Sequence, residues 1–270
     1  MKIIITIALI GIMDIEPATG QSLRYPVSFP YINLSAYASV QQDPFSFTGN
    51  QAALAGVKHL CLGVYSERRF LLSAASAYRF VAAMPSRMGN FGFQLDYAGF
   101  KNFNENRLGV AYARKLGHNV DAGIQFNYYG YRIPGYGNAS AIYFEGGAII
   151  HLTDKLVSGV QVVNPVGGKL GKTGAEKLAS SYRIGLGYEV SDNFFAGGEV
   201  IKEEDKRINV ITGFQYHFSP GFFARAGIMS ESGSGYAGAG IVMGKMRLDI
   251  SAGYHPQLGL TPGILIMLGF

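Results

Sequence analysis

The residues of this 270-residue chain best placed to do chemistry are charged ones that alternate with apolar neighbours. Arg79, Asp96, Arg107, Asp121, Glu145, Arg183, Glu189, Glu199, Arg225, Arg247 and Asp249 all sit on one face of segments whose alternate residues are apolar or small. Charges of both signs around a passage can select among solutes. They can also simply neutralise one another, which is the expectation here.

Catalysis needs a nucleophile or carboxylate within hydrogen-bond reach of a base. Of the histidines, His59, His151, His217 and His255 share the charged face, while His118 lies in a turn. Ser76 and Ser158 fall on the opposite face with no histidine at comparable height, so neither has a base. No His/Cys spacing fits a metal site, and Cys61, the only cysteine, can form no intrachain disulfide. Gly185-x-Gly187 and Gly238-x-Gly240 are fragments of a nucleotide fingerprint, but neither opens a helix. No enzyme activity, metal or cofactor is expected.

What must position these residues follows from composition. Hydrophobic residues make up 48% of the chain, aromatics 13% and charged residues only 15%, with 37 glycines and no tryptophan. A soluble domain carries about 25% charged residues and about 7% glycine. Disordered chains are poor in aromatics, collagen needs glycine at every third position, and no stretch reaches the roughly 18 apolar residues of a spanning helix. The net charge of +5 gathers into no basic patch, so no nucleic-acid partner is expected.

The remaining pattern is alternation with period two. Tyr182, Ile184, Leu186, Tyr188 and Val190 alternate with Ser181, Arg183, Gly185, Gly187 and Glu189; Phe91, Phe93, Leu95 and Tyr97 alternate with Gly92, Gln94, Asp96 and Ala98. The spacing predicts fourteen strands: 57–66, 70–83, 89–101, 106–116, 119–132, 139–151, 155–163, 179–190, 193–203, 207–218, 221–230, 235–243, 246–256 and 259–270. A soluble surface would be dominated by Lys and Glu, yet the polar face here is mostly Gly, Ala, Ser, Asn and Gln. That composition suits a crowded lumen, with the apolar face toward lipid, where a Lys or Arg would cost about 2–4 kcal/mol at the midplane.

The predicted fold is therefore an all-β, transmembrane antiparallel barrel of about 14 strands, with an N-terminal lumen-plugging segment. Residues 1–20 read as a signal peptide, from Lys2, the apolar run Ile3 to Met13 and the small residues Ala18-Thr19-Gly20, with cleavage before Gln21. Asp14 and Glu16 are unusual so near such a site. Residues 21–56, with three prolines and few charges, are expected to plug the barrel of residues 57–270; a periplasmic strap is the alternative. The even strand number puts both barrel ends on the periplasmic side, and the longest loop, Asn164 to Leu178, outside. Tyr128, Tyr129, Tyr131 and Tyr136 are expected to form an interfacial girdle. Leu260, Ile264, Ile266, Leu268 and Phe270 alternate to a terminal aromatic, similar to the C-terminal assembly signal of outer-membrane barrels, with Leu268 and Phe270 as its key residues.

One segment carries a family resemblance. Ser35-Ala36-Tyr37-Ala38-Ser39-Val40-Gln41-Gln42-Asp43-Pro44, followed by Phe45-Ser46-Phe47-Thr48-Gly49-Asn50-Gln51-Ala52-Ala53-Leu54-Ala55-Gly56, resembles the hatch of FadL-type outer-membrane barrels. There a small-residue run leads to a D-P or D-D step and then to N-P-A-x-L just before the first strand. Gln51 stands where the family has proline, and a mature chain of about 250 residues is short for the superfamily, with the missing length in extracellular loops. The resemblance implies a hatch or gate at Asp43, Pro44, Gly49, Asn50, Ala53 and Leu54. It implies a Gram-negative outer-membrane location, with outer-membrane lipid and the barrel assembly machinery as partners. The superfamily holds both hydrophobic-substrate channels and the PorV and PorQ proteins of type IX secretion. The first expectation is a PorV/PorQ-like secretion-associated component that holds secretion partners or cargo at its outer face. The alternatives are a FadL-like passive channel for small hydrophobic molecules and a structural outer-membrane protein.

Overall fold

A computed structural model describes residues 34–39, 42–135, 137–171 and 176–269. The expected signal peptide and its cleavage site, the first part of the expected plug, Tyr136 and Phe270 lie outside the described residues.

Among the described residues sixteen strands are present: β1 Cys61–Arg68, β2 Ser76–Met84, β3 Asn90–Phe100, β4 Phe103–Lys115, β5 Val120–Ile133, β6 Gly137–His151, β7 Leu156–Val163, β8 Lys169–Leu170, β9 Glu176–Lys177, β10 Ser181–Ser191, β11 Phe194–Glu203, β12 Asn209–Ser219, β13 Phe222–Met229, β14 Ser234–Met243, β15 Met246–His255 and β16 Gly259–Gly269. β8 and β9 pair only with each other. The other fourteen form a closed antiparallel barrel in which β7 lies beside β10 and β1 closes on β16.

Successive side chains of a strand point to opposite faces, and here the apolar row points out. Phe93, Leu186 and Ile250 are 37%, 48% and 61% exposed, whereas a sandwich would bury them between its sheets. Their neighbours Gln94, Asp96, Arg183 and Asp249 are buried inside. The barrel has two unlike ends. One is closed by tight turns such as 192–193, 220–221 and 244–245 and also carries the start of β1 and the end of β16; the other carries the longer connections 69–75 and 164–180.

Three local expectations are corrected. The second strand begins at Ser76, not at 70, because Arg69–Leu71 and Ser73–Ala75 form 3-10 turns and Phe70 and Leu71 have φ of 53° and 60°. A residue in the left-handed region cannot continue a strand, although its apolar side chain mimics one in sequence. The long loop contains the small β8–β9 hairpin, which no alternation announced. The tyrosine girdle fails in part: Tyr128 faces out, but Tyr129 is buried in an inner cluster with Tyr143, Val163, Leu170 and Leu178, and Tyr131 packs against it. Consecutive residues of one strand cannot share a face.

Candidate functional site

The described N-terminal residues, 34–39 and 42–56, occupy the lumen as a hatch of three short 3-10 turns, Ser35–Tyr37, Ser46–Thr48 and Gln51–Gly56. Their apolar side chains are buried against the wall. Phe45, Phe47 and Leu54 join Tyr65, Val81, Tyr236 and Leu265 in one cluster, and Ala36, Ala52 and Ala53 join Ile149 and Val157 in another.

Each hatch residue singled out by sequence has a definable place. Asp43 Oδ1 accepts the backbone N–H groups of Phe45 (2.9 Å) and Ser46 (3.1 Å), an Asx-type turn with Pro44 inside it. Its other oxygen accepts from Arg247 Nη1 at 3.0 Å. Asn50 Oδ1 caps the third turn by accepting from the Ala52 N–H (3.1 Å), while its amide donates to the wall carbonyls of Val160 (3.1 Å) and Ala148 (3.4 Å). Gly49 has φ of −89°, so its backbone does not require glycine.

Gln51, the departure from the family pattern, is fully buried and makes bonds that a proline could not. Its Nε2 donates to Glu145 Oε2 at 2.5 Å and its Oε1 accepts from Gln161 Nε2 at 3.2 Å. Replacing it with the family residue, Gln51→Pro, strips one bond from a buried carboxylate and one from a buried amide. Gln161 Nε2 and Glu145 keep their bond to each other at 3.3 Å, so the loss is about 0.5–1.5 kcal/mol per bond, and a modestly lower urea midpoint in lipid vesicles is expected for this variant.

The predicted lumen charges do face inward, and most are paired. Arg79 Nε and Nη2 grip the two oxygens of Asp96 at 2.8 and 2.9 Å, and Arg107 Nε reaches Oδ2 at 3.0 Å. Arg107 Nη1 continues to Glu145 at 3.4 Å, which also accepts from Asn127 (3.0 Å) and Gln161 (3.3 Å). Arg79 Nη1 donates to Thr48 Oγ1 of the hatch at 3.0 Å. A second group links Asp43, Arg247 and Asp249, with Arg225 also on Asp249; the guanidiniums of Arg225 and Arg247 each lie 4.8 Å from the Phe223 ring. Asp121 contacts His151 at 2.9 Å, and Glu189 accepts the Ser39 N–H at 3.0 Å. Arg183 and Glu199 are buried beside Tyr37. Burial and the Glu199 carboxylate hold the Tyr37 phenol well above its usual range, so it stays neutral.

Buried ions are tolerated when paired, and these pairs include hatch atoms at both Thr48 and Asp43. The arrangement is a latch rather than an open ring of charge. Sequence reasoning did not single out Gln51, Gln94, Gln125, Asn127, Gln161 or Glu67 as site residues. The inward parity of Gln94, Gln125 and Asn127 was readable, but Glu67, which accepts from Tyr65 Oη (3.0 Å) and Arg69 Nε (2.8 Å), lies past the predicted end of its strand.

The wall is shaped to the hatch by glycines. A Cβ on Gly123 would lie 2.4 Å from the Gln51 carbonyl carbon, one on Gly187 2.2 Å from the Tyr37 oxygen, and one on Gly147 2.1 Å from Asn50 Oδ1. Gly185, whose Gly-x-Gly spacing opens no helix, receives the Tyr37 ring.

Open space remains on both sides of the hatch. At the tight-turn end a cavity of about 740 Å³ is lined by Asp43, Cys61, His217, Phe223, Met267 and Arg247 among others. At the loop end a smaller one of about 160 Å³ is lined by Phe70, Met229, Tyr236, Tyr254 and Thr261.

This geometry has counterparts among solved structures. The CymD monoaromatic hydrocarbon channel aligns with a TM-score of 0.65 at 13% identity, over 88% of this chain and 98% of that one. The fold is that of the FadL-type outer-membrane barrels. The P. putida toluene transporter TodX aligns with a TM-score of 0.62 at 9% identity, covering 84% of this chain and 94% of its own. A Pseudomonas aeruginosa FadL homologue gives 0.54 at 13% identity, over 84% and 93%. No protein-family profile and no curated protein sequence matches the chain.

Proposed function

We propose that this protein resides in the Gram-negative outer membrane as a FadL-like passive channel for small hydrophobic molecules, gated by its hatch. The loop end is then extracellular and the tight-turn end periplasmic, since such barrels carry short periplasmic turns and longer outer loops. One observation carries the reading: a single buried apolar cluster bridges the two cavities. Tyr236 belongs to that cluster and lines the outer cavity, while Met267 packs against it and lines the inner one. Leu265, Tyr65 and the hatch rings Phe45 and Phe47 belong to the same cluster. An apolar solute moving along this seam parts apolar contacts and leaves the ion pairs of Asp96 and Glu145 intact.

The fold shared with hydrocarbon channels supports this reading over a PorV/PorQ-like secretion component, for which the hatch sequence is the sole support. The test is uptake of a labelled monoaromatic hydrocarbon by intact Gram-negative cells that lack channels of their own. Cells expressing the full chain should accumulate it faster than cells with an empty vector. Equal rates, with the barrel verified as folded in the outer membrane, would reject the channel.

A further inference from the structure

The outward rows of the barrel are mostly apolar, with scattered charges such as Arg68 on β1, Arg114 on β4 and Lys202 on β11; at the loop end of β4, β5 and β6 the outward polar residues gather into adjoining rows. These strands have 13, 14 and 15 residues, against 8 for β7, so they project beyond it at that end. The register sets their outward residues in rows. Leu108, Tyr128 and Ile142 form the last apolar row. Directly above lie Asn106, Gly130 and Ser140, and above those Asn104, Arg132 and Asn138.

The rows form a shaped surface. Gly171 of the long loop closes it from the side, its N–H on the Ser140 carbonyl at 3.2 Å, and the enclosed concavity is about 540 Å³. Among its described residues the lining has a guanidinium, three carboxamides and the hydroxyl-bearing residues Tyr128, Tyr131 and Ser140, and no carboxylate. The hairpin beside Gly171 carries Lys169 and Lys177, opposite each other and both exposed, outside the lining itself. Behind the shelf, the inner cluster of Tyr129, Tyr143, Val163 and Leu178 holds the projection in place.

Polar, cationic chemistry one row above the edge of an apolar belt faces the headgroup layer, not acyl chains. Carboxamides and hydroxyls pair with sugar hydroxyls, and a guanidinium pairs with phosphate in a two-pronged geometry. We propose that this shelf binds the phosphorylated saccharide headgroup of an outer-leaflet glycolipid. The proposal rests on the outer-membrane location given above, and is independent of whether the lumen conducts.

The experiment uses the full chain purified from membranes in mild detergent, with retained lipids counted by native mass spectrometry. Bisphosphorylated lipid A should survive activation that strips phosphatidylethanolamine. The triple variant Asn104→Leu, Arg132→Leu, Asn138→Leu should retain at least about tenfold less lipid A, and lipid A lacking phosphates should bind the native chain as weakly. Should the triple variant misfold, Arg132→Gln alone is expected to lower retention about threefold. Retention of both lipids alike, or an unaltered count in a folded variant, would overturn the shelf. Equal affinity for the soluble disaccharide bisphosphate would assign the site to free sugar phosphates and overturn the lipid assignment. Hydrocarbon uptake by the same triple variant should match the native rate, so failure of the headgroup site and failure of the channel are read separately.

Discussion

Replacing Gly123 with leucine is expected to unseat the hatch and raise single-channel conductance in planar bilayers. The α-carbon of Gly123 lies against the hatch backbone, where even a methyl group would come within 2.5 Å of the Gln51 carbonyl oxygen and 2.7 Å of the Ala52 nitrogen. A side-chain end could swing aside, but a backbone held by the Asn50 cap and the Gln51–Glu145 bond must move as a unit. Overpacking of this kind costs about 1–3 kcal/mol. Because the cost falls on the seated state alone, the unseated population should rise about 5- to 150-fold. Gly187→Leu presses on the Tyr37 carbonyl and should act in the same direction. Gly146→Leu is the control: it adjoins Gly147, but no neighbouring atom lies within 4 Å of its added Cβ. If all three variants fold and conduct like the native chain, the wall does not hold the hatch and the gate assignment fails.

Why these glycines matter could not be read before the fold was known. Their abundance fits a crowded lumen, but nothing in the alternation shows that it is the hatch backbone that crowds against them. The barrel was legible because the two faces differ so sharply in Tyr182–Val190 and Phe91–Ala98 that alternation marks the strands, and the scarcity of Lys and Glu on the polar face assigns the lipid side. Strand ends were less legible. Phe70, Leu71 and Leu72 have the composition of a strand, and only the positive φ at two of them shows that the ladder stops. The charged face was readable by parity, but partners depend on register, which turn geometry fixes together with the hydrophobic pattern. Arg79, Asp96 and Arg107 are direct cross-strand neighbours in one row, although Arg79 and Asp96 stand 17 residues apart in sequence. Gln51 was visible as a departure from the family pattern, and its two buried bonds supply the physical reason for it.

That cross-strand row leads to the largest expected loss of stability. Asp96 is fully buried and receives both Arg79 and Arg107, along with Gln94 Nε2 at 2.8 Å. Asp96→Asn keeps the volume but removes the charge, and it turns an acceptor toward two guanidiniums into a donor. Glu145 can answer Arg107 only at 3.4 Å, and no other described contact of Arg79 is anionic. Removing one member of a buried pair costs about 3–5 kcal/mol, because the surviving charge stays buried without compensation. The barrel should therefore unfold at markedly lower urea, read by loss of heat-modifiable gel mobility. Conductance should rise as well, since Arg79 also carries the bond to Thr48 that ties the hatch to β2. The double variant Asp96→Asn, Arg79→Met removes the stranded cation and should regain part of the stability but not the hatch bond. Recovery of stability with conductance still raised is the signature of a pair that both braces the wall and latches the hatch. A double variant as unstable as Asp96→Asn alone would show that Arg79 is not the charge being neutralised.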